Sequence, residues 1–364
     1  MPRIALLTRY DSMGASSRVR TLQYLPSLQQ AGIETEFFPL LSNDYLEQLY
    51  AGQSTRRLQI QRTWKRIREM PAIAKAGRFD LLWIEKELLP YLPYQLERHL
   101  LGNEVPYALD FDDAIFHNYD QSTNPVVQHL LGNKIDRLMA GARLVTCGNS
   151  YLAERAKRAG APWVEILPST IDFEKYRHHP TPVQPAIDAN NPLRLVWIGS
   201  PSTAPYLELL RPVLAQACRR HPIELRVIGA NAPELPGINT QSIPWKSETE
   251  AAELAKAHVG VMPLKNTPWE QGKCGFKLIQ YMATGLPVIG SAVGMNKDIV
   301  LQGETGFLAG NNEEWVQHIG TLAESPELRT RMGKVGEREA ETHYSIAAVG
   351  SQLAEIMKRA ASTD

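Results

Sequence analysis

Trp269-Glu270-Gln271-Gly272-Lys273-Cys274-Gly275-Phe276-Lys277-Leu278-Ile279-Gln280-Tyr281-Met282-Ala283-Thr284-Gly285-Leu286-Pro287-Val288-Ile289 reads as a glycine-relieved loop, a short helix, a tight turn and a buried strand. Gly272 and Gly275 let the backbone approach a ligand. A helix from about Phe276 to Ala283 aims its free N–H groups and positive dipole end at an anion. Lys273 and Lys277 add charge at the same mouth. Gly285 and Pro287 end the helix, and Val288-Ile289 opens an apolar run of the length of a buried parallel strand. This is the pattern of a phosphate site.

Upstream, the same alternation of strand, loop and helix recurs. Leu193 to Ile198 is a strand that runs into Gly199-Ser200-Pro201-Ser202-Thr203, whose hydroxyls and amides can cradle phosphate without charge. Glu224 to Ile228 is a second strand, turning at Gly229-Ala230-Asn231, and Ile243-Pro244-Trp245 ends a third. Trp245 offers a ring that can stack on a ligand or simply pack. Glu248 to Ala257 reads as a helix, and Val259 to Leu264 as the strand that leads into the opening stretch.

The first half begins with a strand, Ile4 to Leu7, and the small-residue loop Gly14-Ala15-Ser16-Ser17-Arg18. Ligands of doubly wound sheets sit at such a strand end. Gly14 and Ser16 can donate hydrogen bonds and Arg18 and Arg20 offer charge, or Ser16 or Ser17 is an ordinary helix cap. Ile33 to Pro39 and Asp80 to Ile84 are further strands. The strand ending in Asp110-Phe111-Asp112-Asp113 with His117 beyond it gathers four titratable groups at one edge, which is costly unless they are solvated or used. Asp112 shares a face with Asp110 and would suffer like-charge repulsion if both were buried, so Asp113 is the acid favoured for contact with a ligand, with Asp112 and His117 as the other catalytic candidates. Arg143 to Ser150 is another strand, followed by a helix from Tyr151 to Ala159 that Ser150 caps.

The ordered segments Gly275-Phe276, Tyr281-Met282-Ala283-Thr284-Gly285-Leu286-Pro287-Val288 and Gly303-Glu304-Thr305-Gly306-Phe307-Leu308 resemble the donor-binding half of the GT-B glycosyltransferases, retaining family 4 (glycosyl transferases group 1). Glu165 to Asp172 is similar to that family's Pro-Asn-Gly-Val-Asp signature. The family's paired glutamates, spaced eight positions apart, fall on Lys273 and Gln280; the amide can still bond a ribose, while the lysine reverses the charge. The resemblance implies an α/β GT-B fold, two Rossmann-like doubly wound domains facing a central cleft. The expected boundaries are an acceptor domain over 1–174, a linker rich in His, Pro, Asn and Asp over 175–192, and a nucleotide-sugar domain over 193–341, with a tail helix in 342–364 packing back on the first domain.

By the same resemblance the donor is a nucleotide-diphosphate sugar, held by Gly14, Ser16, Arg18, Gly199, Ser200, Ser202, Thr203, Asn231, Trp245, Lys273, Cys274, Gly275, Phe276, Lys277 and Gln280. Lys277 also counts as catalytic, since it neutralises the departing diphosphate. Transfer goes with retention to a hydroxyl of a glycan or lipid-linked acceptor in cell-surface polysaccharide or glycolipid synthesis. Two rivals stand beside this reading: a nucleotide-sugar epimerase of the same fold, and a non-catalytic sugar-nucleotide binding protein.

The length of 364 residues suits two domains. Lys plus Arg and Asp plus Glu are 39 each, so no global charge favours nucleic acid, and none is expected as a partner. Three cysteines, Cys147, Cys218 and Cys274, show no C-x-x-C pair, which argues against zinc and disulfides and for the cytoplasm. No metal or other cofactor is expected. The apolar strand at Arg3 to Thr8 starts at once, with no secretory segment before it, and no run reaches the length of a membrane span. Residues 56–68 form a basic helix with Leu58, Ile60, Trp64 and Ile67 near helical spacing. This is the form of an interfacial helix on an anionic membrane, here the inner face, or a solvated face packed on its domain.

Overall fold

The computed structural model describes residues 1–177, 186–235 and 237–362. They form two compact units. The first is Met1–Thr170 with Gly272–Cys274 and the chain from Val349 onward; the second is Ile171–Gln271 with Gly275–Ala348. Part of the expected linker, 178–185, lies outside the described residues; just before it, Glu174–Arg177 is a short helix.

In the first unit β1 (Arg3–Leu7), β2 (Glu34–Phe37), β3 (Leu81–Glu85), β4 (Tyr107–Phe111), β5 (Leu144–Cys147) and β6 (Val164–Ile166) form one parallel sheet in the order β2-β1-β3-β4-β5-β6. Strands β3, β4 and β5 are buried along their whole length, as near-continuous apolar runs covered on both faces must be. The strand order reverses between β1 and β3, the place where doubly wound sheets receive ligands at the carboxyl ends of their strands.

The second unit repeats the plan with β7 (Leu193–Ile198), β8 (Ile223–Ile228), β9 (Asn239–Ile243), β10 (Val259–Met262), β11 (Val288–Ser291) and β12 (Gly306–Ala309), ordered β12-β11-β10-β7-β8-β9. Its reversal falls between β7 and β10. Trp197, Leu225, Val261 and Ile289 join Leu210, Leu214 and Ile319 in one core. The helix Phe276–Ala283 packs tightly on the sheet because Gly260 leaves room for it. A Cβ at Gly260 would lie 2.3 Å from the Tyr281 ring, whose hydroxyl accepts the Ile198 N–H at 3.0 Å. On its other side the helix Pro326–Tyr344 comes so close that a Cβ on Gly333 would sit 1.9 Å from the Gly285 carbonyl oxygen. The two sheets are the Rossmann-like, doubly wound pair that the sequence implies.

Several local readings change. Neither Ser16 nor Ser17 caps a helix: Gly14 is the N-cap of Ala15–Arg20, without a side-chain bond. The helix Ser150–Arg158 is capped by Asn149, whose Oδ1 accepts the Leu152 N–H at 2.9 Å, not by Ser150. The basic helix runs on to Ile73 and turns Arg66, Met70 and Ile73 inward. The Arg66 guanidinium donates to the Phe38 carbonyl at 2.6 Å, and burial pushes it down to about 10. Leu58 and Ile67 are half-buried while Ile60 and Trp64 face solvent, so the apolar stripe does not share one face. The helix Ile346–Ala361 enters the first unit from Val349, where Arg143 donates to the carbonyls of Ala360 and Ser362 at 3.1 and 2.8 Å. Among the described residues no helix is long and apolar enough to cross a membrane.

Candidate functional site

In the second unit the expected donor residues gather at the carboxyl ends of β7, β8 and β9 and at the start of the helix Phe276–Ala283. Gly275 has φ +64, a left-handed conformation that glycine adopts without strain, and no side chain caps the helix it begins. The Lys277 ammonium lies 5.3 Å from the centroid of the Trp197 ring. Two residues beyond Trp197, Gly199 is hemmed in by that ring and by Thr203, and Gly229, at φ +85, closes on the Gly199 carbonyl and on Trp245. Ser200 and Ser202 bond each other at 2.8 Å, and Thr203 donates to the Ser200 carbonyl at 3.0 Å. Asn231 is exposed, two residues after Gly229.

Trp245 and Gln280 are joined through two residues that pattern reading missed. The Trp245 N–H donates to Glu250 Oε2 at 2.6 Å, Tyr176 donates to Glu250 Oε1 at 2.6 Å, and the Gln280 amide donates to the Tyr176 hydroxyl at 3.2 Å. Glu250 is buried, so this relay of hydrogen bonds holds the indole edge in place. Counting eight residues back from Gln280, the spacing of the family's glutamate pair, reaches Gly272 rather than Lys273. No side chain fits there, because a Cβ would lie 2.5 Å from Ala114 Cβ and 2.8 Å from its backbone nitrogen.

Lys273 and Cys274 belong to the first unit, at the ends of β4 and β5. The Lys273 carbonyl accepts from Asn149 at 3.1 Å and its ammonium stands 3.4 Å from Asp113 Oδ1. The Cys274 thiol donates to the Asp112 carbonyl at 3.1 Å, and burial pushes it well above its usual range. Around them lies a dense set of paired charges. Asp110 is clamped by Arg20 at 2.7 and 2.9 Å and by Thr146 at 2.6 Å. Asp112 accepts from Ser16 at 2.7 Å and stands 2.8 Å from the Lys86 ammonium. Burial works to raise its pKa, yet Lys86 and Ser16 hold it below the usual carboxylate range. Ser17 donates to Glu85, whose pKa burial raises. The Asp110–Asp112 repulsion inferred from sequence is thus met by a separate cation for each acid.

His117 has both ring nitrogens engaged, Nδ1 with Asp120 and Nε2 with the Tyr151 hydroxyl, each at 2.8 Å. Arg18 lies half-buried on the helix after Gly14. Lys86 and Glu85 escaped pattern reading. The signal was present, since charges just past a strand end are what drew attention to Asp112. Among the described residues no three His, Cys, Asp or Glu side chains converge as a metal-binding group.

Residues 186–325 match the family described as Glycosyl transferases group 1. A D-inositol 3-phosphate glycosyltransferase of Corynebacterium efficiens is 32% identical over 92 residues, 25% of this chain. The chain matches only 22% of the length of such curated relatives. Among solved structures, sucrose-phosphate synthase from Thermosynechococcus elongatus superposes over 99% of both chains with TM-score 0.72 at 14% identity. HepE of Anabaena, in complex with UDP and glucose, superposes over 99% of this chain and 100% of its own, with TM-score 0.67 at 14% identity. The chain thus has the GT-B fold, and residues 186–325 within it match the glycosyl transferases group 1 model.

Proposed function

We propose that this protein transfers a sugar from a nucleotide-diphosphate sugar to an acceptor hydroxyl. The observation that carries the reading is the uncapped start of the helix Phe276–Ala283, at the strand-order reversal of the second sheet, with Gly275 at positive φ and Lys277 in the first turn. Backbone N–H groups and an ammonium there favour a diphosphate, and more so as it departs and gains charge. The Trp245 face suits a base and Gln280 a ribose, while Lys277, Ser200, Ser202, Thr203 and Asn231 serve the phosphates and sugar. UDP is the first nucleotide to try, because the HepE structure holds UDP.

In the first unit Asp113 is the acid that takes the acceptor hydroxyl, being the more exposed of the pair at 30% against 15% for Asp112. Transfer proceeds with retention, needs no metal, and serves a glycan or lipid-linked acceptor of the cell surface. The outward face of the helix Arg56–Ile73 supports a peripheral membrane site. Ile60 and Trp64, 51% and 57% exposed, lie one turn apart among the exposed Arg57, Lys65 and Arg68.

The test is a thermal-shift screen of UDP-, GDP-, dTDP- and CMP-linked sugars, since a ligand of the folded state raises apparent stability by mass action. It is followed by release of nucleoside diphosphate in the presence of candidate acceptors, with and without EDTA. Stabilisation by one nucleotide class, with acceptor-dependent and EDTA-insensitive release, is the expected result. An interconverted sugar with no release would instead mean an epimerase, and binding alone a non-catalytic protein.

A further inference from the structure

Lys86 is one of two non-glycine residues with positive φ among the described residues, at +64. The Glu87 N–H donates to the Glu85 carbonyl at 2.8 Å across it, so Lys86 is the apex of a γ-turn, and its positive φ makes this the rare, strained form. The turn follows β3 directly, at the strand-order reversal of the first sheet.

Its flanks are clamped. Glu85 accepts from the Ser17 hydroxyl and, at 2.9 Å, from the Arg9 N–H. Glu87 stands 2.7 Å from the buried Lys134 ammonium and accepts from Tyr119 at 2.8 Å. The Lys86 N–H donates to the Asp110 carbonyl at 2.8 Å, extending the β3–β4 pairing by one residue. All this bonding serves a backbone conformation that a glycine would adopt freely, so a turn needed only for the chain to reverse would not call for lysine. What the lysine adds is an ammonium 2.8 Å from Asp112 Oδ1 and 3.6 Å from Asp113 Oδ2.

We propose that Lys86 is a positioning residue: held in the strained turn, its ammonium fixes the two adjacent carboxylates so that Asp113 presents one geometry to the acceptor hydroxyl. This rests on the transfer reading above. A reacting group misplaced by about 1 Å can cost on the order of a hundredfold in rate, which gives such a strut its value. Trp245, Gln280 and Lys277, assigned above to the base, ribose and phosphates, lie in the second unit, so the expected effect of Lys86 is on turnover rather than on nucleotide affinity.

The test compares wild type with Lys86→Gly, which relieves the backbone, and Lys86→Met, which keeps the stem and loses the charge. UDP affinity by thermal shift and release of nucleoside diphosphate from the sugar nucleotide that wild type turns over are the two readouts. Both variants are expected to bind UDP as wild type does and to lose turnover about a hundredfold. In Lys86→Gly, added n-butylammonium, the side chain that the substitution removes, should restore part of the loss, and neutral n-butanol should not. Wild-type turnover in the variants overturns the proposal, as does equal rescue by butanol, which would mean packing alone.

Should Lys86→Gly not fold, Lys86→Met carries the test through its pH profile. Asp112 is faced by Lys86, Ser16, Arg20, Glu85 and Cys274. Without Lys86 its titration moves up, so turnover of the variant should begin to fall at a higher pH than that of wild type. Parallel profiles overturn the proposal. If wild type turns over no nucleotide sugar at all, the transfer reading falls and takes this one with it, an outcome distinct from active wild type with active variants.

Discussion

The ammonium of Lys277 lies over the ring of Trp197, 5.3 Å from its centroid, and Trp197 is buried in β7. A cation in the first turn of a helix opposes the dipole, so this placement costs the free protein a little, and an arriving anion relieves it. The buried ring fixes where the charge sits. Lys277→Ala should therefore lower turnover by a factor on the order of a hundred, the scale seen when one preorganised donor is removed. Steady-state release of nucleoside diphosphate is the measurement, and unchanged turnover in a folded variant would remove Lys277 from the mechanism.

Asp112 and Asp113 should separate under substitution. Asp113→Asn is expected to fold normally and lose transfer with donor affinity intact. Asp112→Asn leaves the buried Lys86 ammonium short of its nearer counter-charge, a loss on the order of 3 kcal/mol when one partner of a buried pair goes. Because the folded state holds Asp112 below its unfolded value, its contribution is present above about pH 4 and is lost as pH falls through the folded pKa. Melting curves from pH 7 to pH 3 should show wild type losing this increment and Asp112→Asn having none to lose. The reverse pattern, with Asp112→Asn stable and Asp113→Asn fully active, would exchange the two roles.

The outer face of the helix Arg56–Ile73 should bind vesicles that contain anionic lipid. Each basic residue near such a surface contributes about 1 kcal/mol, and salt screens it. Arg57, Lys65 and Arg68 changed together to Glu should abolish co-sedimentation with phosphatidylglycerol vesicles, and Trp64→Ser should weaken it. Arg66 is left alone because its guanidinium belongs to the fold. Equal retention on neutral vesicles, or none on either, makes the helix a solvated face.

Gly333→Ala sets two effects against each other. Alanine is the better helix former by up to about 1 kcal/mol, yet its Cβ would lie 1.9 Å from the Gly285 carbonyl oxygen, which is backbone and cannot swing away. Overpacking of this kind costs roughly 1–3 kcal/mol, so the clash wins and the midpoint of thermal unfolding should fall. A variant that melts higher would show that the two helices can slide apart.

The sequence by itself determined the two doubly wound sheets and the helix Phe276–Ala283, because apolar runs, glycine punctuation and helix signals act over a few neighbouring residues. Tertiary structure alone decided what the polar residues do. Ser16 and Ser17 look like caps, but their hydroxyls go to Asp112 and Glu85, 96 and 68 residues away in the chain. The helix of residues 56–73 shows its basic character in sequence, while the fold chooses which arginine is buried. Lys86 reads as one more charge after a strand until its φ and its two carboxylates are seen. Backbone pattern is short-ranged and leaves its mark residue by residue; the pairing of buried charges joins distant strand ends, and no local spacing records it.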